Sequence, residues 1–161
     1  MINNNIIVLG IGGGGANIVN YLSTKINDVE YLLIDNNMQL SYLQKIQEQI
    51  SEISKIIIIS TLGGAFTALN LPFIVKEIKE YRVEITAILT MPFAWQGAKR
   101  LDYAERTLEE VATLTDKCII IHNQKFSKNL PPKTPLRVAY ELVNEEVCRQ
   151  VNKLIKEDNL C

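Results

Sequence analysis

Short runs of Ile, Val and Leu alternate along the chain with longer stretches in which apolar residues recur at helical spacing. The runs predict five strands, at Asn5–Leu9, Tyr31–Ile34, Lys55–Ser60, Glu84–Leu89 and Cys118–His122. The longer stretches predict helices near Ala16–Ser23, Gln39–Ser54, Thr67–Tyr81 and Lys99–Thr115, and a last helix that follows Pro131-Pro132 and runs to Lys156. Strands of nearly continuous apolar character are typical of a parallel sheet that is buried on both faces. The pattern therefore predicts an α/β fold, a three-layer doubly wound parallel sheet.

The composition agrees with one folded unit. A chain of 161 residues with 47% apolar residues can bury a core as a single domain, residues 1–161. Its 17 Lys and Arg residues nearly balance 18 Asp and Glu residues, so no basic surface for nucleic acid is expected. Cys118, Cys148 and Cys161 are widely spaced and there is one histidine, which argues against a disulfide framework and a zinc site. No apolar run reaches the roughly 18 residues that a membrane span needs, and we expect a cytoplasmic protein.

The first predicted strand leads into four consecutive glycines, in the stretch V-L-G-I-G-G-G-G-A-N from Val8 to Asn17. The backbone N–H groups of such a turn can approach an anion closely, and the dipole of the helix that follows favours negative charge. The stretch therefore predicts a phosphate-binding loop, although glycines at such a turn also serve tight packing alone. Its Gly10-x-Gly12-x-x-Gly15 subset fits the dinucleotide fingerprint, with Asp35 where a ribose ligand would lie. An NAD-binding oxidoreductase is thus a second interpretation, for which the only histidine, His122, is no obvious base.

In such a fold ligands bind outside the carboxyl ends of the strands, so the turns after the other strands are the next candidates. The third strand is followed by L-G-G-A-F-T, residues Leu62–Thr67, a turn of small residues that suits a second phosphate contact. The fourth strand is followed by T-M-P-F-A-W-Q-G-A-K-R, residues Thr90–Arg100, and then by Tyr103-Ala104-Glu105. This stretch resembles the segment T-x-P-F-x-x-E-G-x-x-R…A-E of the bacterial division GTPase FtsZ.

Three further segments carry the same resemblance, in the family's order. Gly10–Asn17 is similar to the first phosphate loop, G-x-G-G-G-G-x-N, and Ile121–Lys125 is similar to the segment I-P-N-D-K. Tyr140-x-x-x-Asn144-Glu145 is similar to F-x-x-x-N-D of the long central helix. Together the motifs span nearly the whole chain. The chain is identified as a divergent member of the FtsZ/tubulin superfamily, with its Rossmann-like GTPase domain.

The resemblance implies a guanine-nucleotide site made of residues from five segments. The implied phosphate contacts are Gly12, Gly13, Gly14, Gly15 and Asn17, with Gly63, Gly64, Ala65 and Thr67 of the second glycine turn beside them. Arg100 would reach phosphate oxygens or the ribose, and Gln96 would replace the family's glutamate as an acceptor for the ribose hydroxyls. Asn123 and Glu145 would read the guanine edge, and Tyr140 would stack on the base. The implied ligand is GTP or GDP, with Mg²⁺ as a candidate companion, and no residue is expected to be catalytic or to bind a metal by itself.

The chain departs from the family in its second glycine turn. The signature loop G-G-G-T-G-T-G aligns with Gly63–Leu69, where Phe66 replaces a small hydroxyl residue and Leu69 replaces the last glycine. A bulky ring there is expected to obstruct or reshape the phosphate pocket, which lowers the affinity for GTP or restricts the site to the diphosphate. The alternative is a degenerate relative that binds no nucleotide, in which Phe66 plugs the pocket and the fold serves as an interaction scaffold.

The chain also ends early relative to the family, since it stops at Cys161, just past the central helix, where the family continues into a second domain. In filaments an acidic loop of that domain reaches the neighbouring subunit's nucleotide and positions the attacking water. The resemblance therefore implies little or no GTP hydrolysis by this chain alone. The implied partner is a full-length FtsZ-type protein of bacterial cell division, whose filaments this chain would modulate, or a second copy of the chain.

Overall fold

The computed structural model describes residues 5–35, 41–49 and 51–160. Its strands are β1 (Ile6–Ile11), β2 (Glu30–Ile34), β3 (Lys55–Thr61), β4 (Glu84–Met91) and β5 (Lys117–His122). Its helices are α1 (Gly12–Ser23), α2 (Ser41–Gln49), α3 (Ala65–Lys79), α4 (Ala98–Leu114), α5 (Asn123–Ser127) and α6 (Leu136–Asp158), and a single 3-10 turn covers Ala94–Gln96. None of the helices in the described ranges is both long enough and apolar enough to cross a membrane.

All the described strands pair in parallel, in the order β2-β1-β3-β4-β5. Alternate residues of each strand point to opposite faces, so Ile7 and Leu9 enter one hydrophobic cluster and Ile6 and Val8 enter the other. Helices α2, α3 and α4 cover the first face, and α1 and α6 cover the second. The predicted three-layer, doubly wound parallel sheet is confirmed.

The strand order places a topological switch point between β1 and β3. The chain moves from β1 to β2 on one side and then crosses back to β3 on the other. Helix α1 therefore leaves β1 toward one face, and α3 leaves β3 toward the other. In open α/β sheets a crevice forms at such a point, outside the carboxyl ends of the strands.

Several elements differ from the sequence prediction in their bounds or were not predicted. Helix α1 begins at Gly12 and not at Ala16, because the glycines that lower helix propensity are held in the helix by close packing on β3. The described part of the predicted helix over Gln39–Ser54 ends at Gln49, and Gln39 lies outside the described residues. Helix α5 was not predicted, because five residues are too few to show a helical period.

A buried cation ties the amino ends of two strands to the end of α6. Lys55 is 6% exposed. Its Nζ lies 3.5 Å from the carboxylate of Glu84 on β4 and 3.3 Å from that of Asp158. Helix α6 is thereby fixed at the edge of the sheet that lies opposite the carboxyl ends of the strands.

Candidate functional site

A cavity of about 530 Å³ opens at the carboxyl ends of β1, β3, β4 and β5. Its volume falls in the range of small-molecule sites. Eleven of the predicted site residues line it: Gly12, Gly13, Gly14, Asn17, Gly64, Ala65, Thr67, Gln96, Arg100, Asn123 and Tyr140. The sequence motifs thus converge on one cavity at the switch point of the sheet.

Eight further residues line the cavity: Ile18, Thr61, Leu62, Phe66, Thr90, Pro92, Val143 and Asn144. Of these, Phe66 was expected at the site as an obstruction. Thr61 and Thr90 are opposite each other in the register of β3 and β4, at the ends of the two strands. A sequence signal for them existed, since a threonine stands at the last or next-to-last position of each strand, just before a candidate turn. Strand pairing is needed to bring the two together.

The N-terminus of α1 faces the cavity without a cap. Ile11 precedes the helix, no side chain caps it, and its first turn contains no acidic residue. The first N–H groups of a helix have no partner within the helix, and they favour an anion. Gly12 has a φ of 79°, which suits glycine, and a side chain added at Gly13 would meet nothing within 4 Å. Gly13 is therefore not needed for packing, and the space beside it belongs to the cavity.

The other two glycines of the run are explained by packing. A Cβ at Gly14 would overlap the side chain of Thr61, and one at Gly15 would lie 2.5 Å from the carbonyl oxygen of Ile59. Gly15 does not line the cavity. The glycine run thus seats α1 on β3 through Gly14 and Gly15 and leaves an open backbone surface at Gly13.

The N-terminus of α3 meets the cavity from the other side. Gly64 precedes the helix in an extended conformation, and again no side chain caps the helix and no acidic residue lies in its first turn. A side chain at Gly64 would also meet nothing within 4 Å. The Thr67 hydroxyl lies close to α1, 2.9 Å from where a Cβ on Gly12 would be. Two uncapped helix N-termini therefore converge on one cavity.

Phe66 is in the first turn of α3, and its ring faces the N-terminus of α1 at Gly12. Its ring is half-buried against the core on the α3 face of the sheet and also lines the cavity. Ring atom Cδ1 lies 3.6 Å from the position of a Cβ on Gly12. The ring narrows the cavity at its glycine end, but the cavity stays open. Leu69 has no part in it, because its side chain is 77% exposed and lies outside the lining residues.

The electrostatic character of the cavity is positive. Arg100 is the only formally charged residue among the described residues that line it. No carboxylate of the described residues forms an ion pair with its guanidinium. Together with the positive ends of two helix dipoles, the arginine favours an anionic ligand.

The loop after β4 forms the wall opposite the glycine turns. Gln96 Oε1 accepts the N–H of Phe93 at 2.9 Å, and Gln124 Oε1 accepts the N–H of Ala94 at 2.9 Å. Because the carbonyl of Gln96 is engaged in the loop, the amide NH₂ is the part of Gln96 that stays available, and Gln96 faces a ligand mainly as a donor. The expected acceptor for ribose hydroxyls is thus largely committed elsewhere.

Aromatic rings flank this loop. Phe93 is buried, and its ring stacks on Trp95 at 5.6 Å between centroids and meets Tyr140 edge-on at 5.3 Å. Tyr140 lines the cavity and is 37% exposed, so it is not a core residue. Trp95 is 58% exposed and lies just outside the lining residues.

Two buried polar atoms in the cavity wall have no hydrogen-bond partner among the described residues. They are the hydroxyl oxygen of Thr90, which is 1% exposed, and Oδ1 of Asn123, which is 4% exposed. An unpartnered buried polar atom costs roughly 1–3 kcal/mol, which a ligand can recover by supplying the missing partner. Their position beside the cavity favours a polar ligand over an apolar one.

The structure does not bring three of the predicted site residues into the cavity: Gly15, Gly63 and Glu145. A Cβ at Gly63 would lie 3.0 Å from the backbone oxygen of Arg100, so Gly63 serves packing. Glu145 is exposed. The pKa of Tyr21 on α1 is raised, first by the burial of Tyr21 itself and next by the negative charge of Glu145. Its neighbour Asn144 faces the cavity instead. Asp35, the candidate ribose ligand of a dinucleotide site, does not line the cavity either.

A doubly wound sheet with glycine turns and helix N-termini at its switch point is the architecture of Rossmann-like α/β proteins. The sequence model described as Tubulin/FtsZ family, GTPase domain, matches residues 30–131, well over half of the chain. The chain therefore belongs to the Tubulin/FtsZ family.

Relatives and solved structures agree with this assignment. The chain is 24% identical to the cell division protein FtsZ of Aquifex aeolicus, over 89% of this chain and 49% of that protein. It is 28% identical to the mitochondrial division protein fszB of Dictyostelium discoideum, over 87% of this chain and 48% of that protein. The fold is similar to that of an empty FtsZ dimer from M. jannaschii, with a TM-score of 0.77 and 22% identity over 94% of this chain and 54% of that one. The chain spans about half the length of the curated relatives it matches.

Proposed function

We propose that this chain binds a guanine nucleotide in the cavity and hydrolyses little or no GTP by itself. The observation that carries the proposal is the convergence of two uncapped helix N-termini, those of α1 and α3, on one cavity whose only lining charge among the described residues is Arg100. Such an arrangement suits phosphate groups. The guanine base comes from the family, since the matching family model is described as a GTPase domain.

The cavity offers a place for each part of the nucleotide. The phosphates would lie over Gly13 and Gly64, where the backbone is open, with the Arg100 guanidinium beside them. The base would lie at the other end, against the ring of Tyr140 and within reach of the amide of Asn123. Asn144 would take the place beside the base that the resemblance gave to Glu145.

Hydrolysis needs a group that orients the attacking water as well as phosphate stabilisation. None of the described lining residues is an acid or a histidine that could take a proton from the water, and the carbonyl of Gln96 is engaged by the N–H of Phe93. The residues outside the described ranges contain neither type of side chain. Any GTP that does bind would therefore persist until a second protein supplies the missing group, either an FtsZ-type filament protein or another copy of this chain.

The competing proposal is a scaffold that binds no nucleotide because Phe66 plugs the pocket. The cavity measures about 530 Å³ with the Phe66 ring in place, which favours binding over a plugged site. The third interpretation, an NAD-dependent oxidoreductase, loses the support of Asp35, which lies outside the lining residues.

The test is a titration of the nucleotide-stripped protein with a fluorescent guanine nucleotide, competed in turn by GTP, GDP, ATP and NADH. We expect saturable binding that GTP or GDP displaces and that ATP and NADH do not. Absence of saturable binding up to millimolar nucleotide would favour the scaffold that binds no nucleotide. Displacement by NADH alone would favour the oxidoreductase.

Two neighbouring cations provide a matched pair of variants. Arg100→Gln should weaken binding about 10-fold to 100-fold, the range expected for the loss of a charged hydrogen bond. Lys99→Gln should leave binding unchanged, because Lys99 lies over the Tyr103 ring and outside the lining residues. Equal effects of the two substitutions would mean that general surface charge, and not a site at Arg100, attracts the nucleotide.

The proposed modulation of an FtsZ-type filament places the partner over the cavity. Trp95 supports this, because a large exposed ring that stacks on the buried Phe93 beside the cavity is a suitable interface anchor. The protein should sediment with FtsZ filaments, and Trp95→Ala should reduce the sedimented fraction. Unchanged sedimentation of the variant would exclude this face as the contact.

A further inference from the structure

We infer that the ligand is a nucleoside diphosphate held without a divalent cation. The inference rests on the proposed nucleotide site and concerns its glycine end, where the outermost phosphate of a triphosphate would lie. Three observations carry it: the position of the Phe66 ring, the balance of charge in the cavity, and the chemistry of the oxygen donors.

The first observation is the space at the glycine end. Phe66 is in the first turn of α3, two residues after Gly64, and its ring faces the start of α1 at Gly12. Its ring reaches to within 3.6 Å of the Cβ position on Gly12, and it is fixed there by contact with the core. The ring presents carbon atoms where a third phosphate would need hydrogen-bond donors. An anionic group that loses water without gaining partners is strongly disfavoured.

The second observation is the balance of charge. Each helix N-terminus is equivalent to roughly half a positive charge, and Arg100 adds one. The described cavity wall therefore supplies about two positive charges, and a triphosphate carries one more negative charge than a diphosphate. The diphosphate is the better match unless a cation accompanies the triphosphate.

The donor set does not suit that cation. Mg²⁺ bound with a nucleotide is usually held by one or two carboxylates together with phosphate oxygens. The oxygen donors at the glycine end are the hydroxyls of Thr61, Thr67 and Thr90 and the amide oxygen of Asn17, and no carboxylate lines the cavity among the described residues. The same described residues contain no cluster of three or more His, Cys, Asp or Glu side chains that could hold a metal ion. The site therefore disagrees with Mg²⁺ as a tightly held companion of the nucleotide.

Calorimetric titrations of the wild-type chain with GDP and with GTP, each in EDTA and in excess Mg²⁺, test the inference directly. We expect GDP to bind about tenfold tighter than GTP in EDTA, which corresponds to about 1.4 kcal/mol. The Kd for GDP should change by less than about twofold between EDTA and Mg²⁺. GTP that binds as tightly as GDP, or GDP binding that EDTA abolishes, would overturn the inference and leave the proposed function standing. Failure of both nucleotides to bind would overturn the proposed function as well.

A pair of variants on α3 assigns the effect to the ring. Phe66→Ala should raise the affinity for GTP relative to GDP about tenfold. Replacing the ring with a methyl group frees the space at the glycine end and exposes the N–H groups of the first turn of α3. Leu69→Ala, one turn along the same helix, should leave the ratio unchanged, since Leu69 points into solvent. Phe66→Leu retains apolar packing on the core and should give a smaller change in the same direction. A GDP-to-GTP ratio that none of the three variants alters would contradict the role of the ring.

Discussion

Alanine in place of Gly13 should stabilise the free protein and weaken its binding of nucleotide. Gly13 is the second residue of α1, and it is not among the described glycines with a positive φ, which are Gly12, Gly63 and Gly97. A Cβ at Gly13 would meet nothing within 4 Å. The substitution therefore adds a methyl group that disturbs no described contact and projects into the cavity.

The expected gain in stability of the free protein arises from the unfolded state. Replacing glycine by alanine at a compatible helical position stabilises a protein by about 0.4–1 kcal/mol, because alanine has fewer unfolded conformations to lose. For a chain of this size, 1 kcal/mol raises Tm by about 2–4 °C. Gly13 lies in the first turn, where the helix is less constrained, so a rise of roughly 1–3 °C is expected.

The second effect of the substitution is to weaken the binding of nucleotide. The added methyl group would occupy the space of a phosphate oxygen and move it from the N–H groups of the first turn. Losing one hydrogen bond to a charged group costs about 1.5–3 kcal/mol, which is about 10-fold to 150-fold in Kd. The thermal shift that saturating nucleotide gives should fall accordingly, since that shift depends on the ratio of ligand concentration to Kd.

Thermal unfolding without nucleotide and titration with GDP measure the two parts separately. Asn20→Ala is the control, because Asn20 is exposed on the same helix and away from the cavity. It should raise Tm by a similar amount through helix propensity and leave Kd unchanged. A Gly13→Ala variant that binds GDP like the wild type would refute the phosphate position. One that unfolds at a lower temperature would refute the open geometry at this residue.

Other predictions concern buried polar groups. Thr90→Val and Thr86→Val each remove a buried hydroxyl with no partner among the described residues, so both should leave the free energy of unfolding unchanged or raise it by about 1 kcal/mol in urea titrations. Only Thr90→Val should weaken nucleotide binding, and equal Kd values would show that its hydroxyl meets no ligand. Lys55→Met should change stability by less than about 1 kcal/mol, whereas replacing both carboxylate partners with amides should cost about 3–5 kcal/mol, because it leaves the buried cation unpaired. Hydrogen bonds from Arg149 lower the pKa of Glu146 below its ordinary 4.5, so the carboxylate stabilises the fold above that pH and the contribution is lost as the pH falls through the lowered pKa. In Glu146→Gln, the free energy of unfolding should therefore fall less steeply below pH 4.5 than in the wild type. The same dependence on pH in both proteins would contradict this contribution of Glu146.

Most of the fold was predictable because its strands carry a strong local signal. Four consecutive isoleucines, Ile56–Ile59, are typical of a strand that is buried on both faces of a sheet, and all four have no exposed surface. The start of α1 was not predictable from propensity, because the residues that favour a turn locally are held as a helix by their contact with β3. Tertiary packing decided the boundary.

The candidate site was predictable in its backbone and less so in its side chains. Motif order brought both glycine turns and Arg100 to one cavity. The choice between Glu145 and Asn144 depended on the rotation of α6 about its axis, and one residue turns a side chain by about 100°. The engagement of Gln96 by the N–H of Phe93 is a hydrogen bond within the loop that no residue pattern announces.

The walls of the cavity are separated by most of the chain, which has a consequence for protein synthesis. Gly13 emerges from the ribosome well before Tyr140, Val143 and Asn144 of α6. At a synthesis rate of roughly 5–20 residues per second, about ten seconds separate the synthesis of Gly13 from that of the α6 residues. Until β3 arrives, β1 has no partner on its inner edge, and its apolar residues are exposed to other nascent chains. A nucleotide can therefore stabilise the nascent chain only after α6 has emerged and both walls of the cavity are present.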